Sequence, residues 1–134
     1  MARTVYGNFR SVPVYNLQGQ PDTLNPAVTP VLFFAPWCPH CQADVPQVNK
    51  ELAAMHQQRA VILVATFLHT PDRQQAIKEV QEFVSKYRIT MPVVIQADQA
   101  AQYVQAVPTL VWGSDAAHKG LPTETNLHLA LAHK

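Results

Sequence analysis

Short apolar runs punctuate this chain, and the stretches between them change to helical spacing. Val31-Leu32-Phe33-Phe34 and Ala60-Val61-Ile62-Leu63-Val64-Ala65 are continuous apolar runs, the pattern of strands covered on both faces. Pro92-Val93-Val94-Ile95 and Thr109-Leu110-Val111-Trp112 predict two more. Before them, Val12-Pro13-Val14-Tyr15-Asn16, a turn at Gln18-Gly19-Gln20-Pro21 and a second extended piece predict two paired strands. Val45, Val48, Leu52 and Met55 recur at helical spacing after Cys38, as do Ile77, Val80, Phe83, Val84 and Tyr87 further on. Pro46 inside the first of these predicts a kink rather than a stop. Thr70-Pro71-Asp72 predicts an N-cap, a proline at the first helical position and an acidic first turn for the second, which runs to about Arg88. A short helix is expected over 98–105, and Gly113-Ser114-Asp115 reads as a turn into an edge strand. Thr123 caps a last helix carrying Leu127, Leu129 and Leu131. Strands alternating with helices predict an α/β fold whose central strands run parallel.

Composition narrows the function classes. A chain of 134 residues, 48% hydrophobic, forms one domain with a core of its own. Ten Lys and Arg against nine Asp and Glu leave a net charge of +1, and the basic residues are scattered. That distribution makes neither a nucleic-acid surface nor a polybasic membrane anchor. No apolar run approaches the ~20 residues of a membrane span, and the first residues lack the apolar core of a signal peptide. The two cysteines, Cys38 and Cys41, are too few for a disulfide-stapled secreted domain and are spaced as a site.

The chemistry sits in Trp37-Cys38-Pro39-His40-Cys41. Cys38 falls where a buried strand meets a helix, and the free N–H groups of a helix's first turn favour a thiolate there. Cys41 lies one turn along the same face, within reach of a disulfide, deeper and less exposed. Pro39 starts the helix, and His40 faces outward beside Cys38. The pair predicts thiol–disulfide exchange: Cys38 attacks a substrate disulfide, and Cys41 resolves the mixed disulfide. Residues 1–10 are expected to be a loosely ordered extension of the single domain.

Strand, Trp37-Cys38-x-x-Cys41, a helix with Pro46, then Val107-Pro108-Thr109 before a strand resembles the thioredoxin superfamily. Asn16-Leu17-Gln18-Gly19-Gln20-Pro21 and Ala43-Asp44-Val45-Pro46 are similar to its TlpA/ResA-like envelope branch, over roughly residues 10–134. Cys-Pro-His-Cys resembles the active site of DsbA-like oxidants. The resemblance implies a three-layer α/β/α sandwich with a mixed central sheet and an added N-terminal β-hairpin. It implies protein thiol or disulfide substrates, a redox partner protein, a monomer, an extracytoplasmic location, and no cofactor beyond the Cys38–Cys41 disulfide. It gives Pro108 the role of a cis-proline against that disulfide, exposing the Val107 backbone to substrate and keeping metal from the thiols, with Trp37 as an apolar rim. The scaffold resembles reductants, whereas Pro39-His40 leans towards an oxidant. Many relatives bury a carboxylate six residues before the first cysteine as proton acceptor. Leu32 stands there instead, leaving Glu51, Glu79 or water for that task.

Other readings compete. The other histidines (His56, His69, His118, His128 and His133) form no paired spacing that suggests zinc. Ala35 stands where a peroxiredoxin-like pattern needs threonine. A non-catalytic thioredoxin-like module, holding a partner or a metal through the same groove, is the alternative to an enzyme. The polar face of Arg73, Gln74, Gln75, Lys78 and Gln81 reads as solvated surface.

Overall fold

A computed structural model describes residues 3–4 and 8–133. The strands are β1 (Arg3–Thr4), β2 (Val12–Tyr15), β3 (Pro21–Leu24), β4 (Val31–Phe34), β5 (Ile62–Ala65), β6 (Val93–Gln96), β7 (Ala101–Gln102), β8 (Thr109–Trp112) and β9 (His118–Gly120). Helices α1 (Pro39–Ala54), α2 (Arg73–Tyr87) and α3 (Glu124–Ala132) interleave with them. Seven strands form one sheet in the order β3-β2-β6-β5-β4-β8-β9. The two crossovers β4-α1-β5 and β5-α2-β6 make the central pairs parallel, while β2, β8 and β9 join antiparallel. The β2–β3 hairpin is the predicted N-terminal addition, in register from Val12↔Leu24 to Tyr15↔Pro21.

Strand alternation sorts the core into two clusters. Leu32 and Phe34 face one way with Leu63, Ala65 and Leu110, beneath the buried faces of all three helices. Val31, Phe33, Val64 and Val111 face the other way, where Phe9, Tyr103 and Val104 cover them. The three α-helices therefore lie on one face, and the chain around Phe9, strand β7 and a 3-10 turn at Ser114–Ala116 cover the other. Phe9 stacks edge-on against Phe33 and Tyr103, so this part of the expected N-terminal extension is docked. Residues 1–2 and 5–7 of that extension lie outside the described residues.

Two local expectations are corrected. The helix expected over 98–105 is replaced by turns and β7, which pairs with β1. The buried Gln96 amide is the reason: it donates to the carbonyls of Asp98 and Ala101, which a helix would need. The cap of α2 is Asp72, whose carboxylate accepts the Gln74 N–H at 2.9 Å. Thr70 instead accepts the Asp72 N–H, and Pro71 stays outside the helix, so the first turn holds no acid. The expected last helix forms as α3 and carries Leu127, Leu129 and Leu131; Leu127 and Ala130 are buried and Leu129 is 54% exposed, because two positions on a helix turn a side chain to the opposite face. Helix α1 runs unbroken through Pro46, and the Thr123 hydroxyl caps α3 by accepting the Asn126 N–H. Among the described residues, no helix is long and apolar enough to cross a membrane.

Candidate active site

Strand β4 is buried along its whole length and delivers the chain to a tight turn in front of α1. Cys38 donates its N–H to the Ala35 carbonyl at 3.1 Å and stands as the N-cap of α1 with extended backbone angles. Its carbonyl accepts the Gln42 N–H, and Pro39 enters the first turn, where a missing donor costs nothing. The Cys38 side chain is half-buried, and those of Pro39 and His40 are exposed.

One turn later Cys41 is wholly buried, in the cluster that contains Leu32, Val45 and Val48. Its Sγ accepts the Ala35 N–H at 3.4 Å. Burial pushes the Cys41 thiol up to about 12, opposed by that N–H and reinforced by Cys38 and by the charge of Asp44. Both cysteines are free, and Cys38 is close enough to act on the Cys41 thiol. The Val107–Pro108 peptide is cis. Pro108 is buried, and the Val107 carbonyl lies 3.9 Å from the Cys38 Sγ, so residues far apart in the chain meet at the first sulfur.

Trp37 is 43% exposed and held at two points. Its indole N–H donates to the Phe67 carbonyl at 2.7 Å, and its ring stacks on His69 at 4.6 Å between centroids. A cleft of about 280 Å³ opens beside it, between the start of α1 and α2.

The carboxylate whose charge is felt at Cys41 is Asp44, one turn further along α1. Glu51 bonds Gln47 near the far end of the helix, and Glu79 lines the cleft by Trp37; neither is among the groups acting on Cys41. Asp44 was visible in the sequence as a carboxylate three positions after Cys41. Phe67 and His69 carried no such signal. Folding also joins His118 and His133, whose rings stand 5.4 Å apart although 15 positions separate them. No group of three or more His, Cys, Asp or Glu able to hold a metal occurs among the described residues.

No family model and no curated protein matches the sequence. Solved structures do resemble it. A secreted disulfide oxidoreductase of Mycobacterium tuberculosis, homologous to E. coli DsbE, is 23% identical over 91% of this chain and 95% of its own, with a TM-score of 0.58. A putative thiol:disulfide interchange protein DsbE from Chlorobium tepidum is 15% identical over 98% of this chain and all of its own, with a TM-score of 0.64. The exposed lipoprotein thioredoxin Etrx1 of Streptococcus pneumoniae is 16% identical over 92% and 99%, with a TM-score of 0.58. With this sheet order and these likenesses, the chain has the thioredoxin-like α/β fold, its two cysteines at the junction of β4 and α1.

Proposed function

We propose that the protein is a thiol–disulfide oxidoreductase acting on cysteines of other proteins, with Cys38 as nucleophile and Cys41 as resolving thiol. The observation that carries the reading is the unequal pair: one half-buried sulfur at a helix cap and one buried sulfur a turn behind it. In the reducing direction the Cys38 thiolate attacks a substrate disulfide, and one substrate sulfur leaves as a thiolate. Cys41 then gives up its proton and attacks Cys38 Sγ. The substrate's second sulfur departs, and a Cys38–Cys41 disulfide remains. Two electrons pass to the substrate, two sulfurs of the protein are oxidised, and a redox partner protein restores them. The reverse sequence oxidises a dithiol, and the partner's potential sets the direction. The chemistry needs no cofactor beyond the sulfurs.

Asp44 is the group best placed to receive the Cys41 proton, since Leu32 supplies no carboxylate. His40, between the two cysteines in sequence, is exposed. The Val107 carbonyl, beside Cys38, offers a strand-like partner to a substrate segment, with Pro108 behind it. Of the similar proteins, one is described as secreted and one as an exposed lipoprotein, which supports an extracytoplasmic location. The test is turbidimetric reduction of insulin by dithiothreitol. Wild-type protein is expected to accelerate it and a Cys38→Ser variant to leave the uncatalysed rate; equal rates for the two refute the reading.

A further inference from the structure

Trp37 is an aromatic ring left in water next to the reacting sulfur, yet its orientation is set from two sides. Phe67 has a positive φ of 51°, which L side chains seldom adopt, and in this conformation its carbonyl receives the indole N–H. Two residues on, the His69 ring lies nearly parallel to the indole, 21° between planes. The loop presenting both is itself anchored. The Thr66 hydroxyl donates to buried Gln96, and the Leu68 N–H donates to Gln99. An exposed side chain without a task would be free to rotate; this one is braced by a hydrogen bond and a stack.

We propose that His69 is a positioning residue. It holds Trp37 as a flat shelf beside Cys38, on which an apolar side chain flanking the substrate's reacting cysteine lies. The role rests on the oxidoreductase reading above. Trp37 and His69 form one wall of the cleft of about 280 Å³, with Pro36, Phe83 and Tyr87 on its other sides and charged side chains of α2 at its mouth. That volume lies at the lower end of the range of ligand pockets and has room for a side chain of a substrate. A stacked aromatic pair loses little on binding, because the shelf is already ordered, whereas a freely rotating indole must be ordered by the substrate.

The experiment compares wild type, His69→Ala and His69→Phe on two disulfides: a peptide with leucine beside its cysteine, and the small disulfide 2-hydroxyethyl disulfide, which has no apolar side chain to lay on the shelf. For His69→Ala the KM for the peptide is expected to rise about three- to tenfold with kcat unchanged, the scale of one aromatic contact. The reaction with the small disulfide stays as in wild type, and His69→Phe restores the peptide KM. An unaltered KM in His69→Ala, a failure of phenylalanine to restore it, or a parallel loss with the small disulfide overturns the role of His69 alone. A wild type inert towards both disulfides overturns the oxidoreductase reading and the shelf with it.

Discussion

Burial of Cys41 has a thermodynamic signature that a pH series can read. The folded thiol ionises at about 12 against an ordinary value of 9.0, chiefly because its surroundings exclude water. Below about pH 9 both folded and unfolded chains keep the proton, and Cys41 contributes the same stability at every pH. Between about 9 and 12 the unfolded chain loses the proton first and binds fewer than the folded one, so stability falls as pH rises. The slope is about 1.4 kcal/mol per pH unit, about 2 kcal/mol by pH 10.5 and about 4 kcal/mol once the folded thiol ionises. The perturbation is Cys41→Ala, compared with wild type by urea unfolding under reducing conditions. Deleting the side chain costs a pH-independent amount, and every other titrating group is common to the two proteins. The wild-type advantage should be constant to about pH 9 and then shrink along that slope. A difference that stays flat to about pH 10.5 refutes the burial argument, and with it the unequal pair on which the mechanism rests.

Two other substitutions probe separate links of the structure. Buried Asn49 accepts hydrogen bonds from the Thr90 and Met91 N–H groups and from the Thr90 hydroxyl, tying α1 to the chain entering β6. Asn49→Ala strands the buried Met91 N–H and is expected to cost about 2–4 kcal/mol in urea unfolding, and a loss below about 1 kcal/mol contradicts that. Asp44→Asn should slow release of substrate from the Cys38 mixed disulfide about 100-fold at neutral pH, followed in a single turnover. An accelerated release would mean that Asp44 acts only as a charge holding the Cys41 proton in place.

The covered strands were legible because four consecutive apolar residues have few alternatives, and α1 and α2 because their buried positions recur at helical spacing. The cysteine pair was legible because its chemistry depends on a local spacing, one turn of helix. What failed was decided by partners distant in the chain. The stretch 98–105 has side chains compatible with a helix, but the amide of Gln96, fixed by Thr66 on a neighbouring element, takes its carbonyls first. Thr70 and Asp72 are both good caps, and only the actual entry path gives the role to the carboxylate.

By itself, then, the sequence determined the α/β class, the parallel core and the position of the cysteine pair, since each follows from periodicity or from residues within one turn of each other. The sequence also foretold a less exposed Cys41 and, through the resemblance, the Val107 backbone at the site, whereas tertiary structure alone decided that the Ala35 N–H meets the Cys41 sulfur and that a loop 30 positions on braces Trp37. Solvent exclusion and contacts between distant segments depend on how strands are ordered across the sheet, and no local pattern encodes that order.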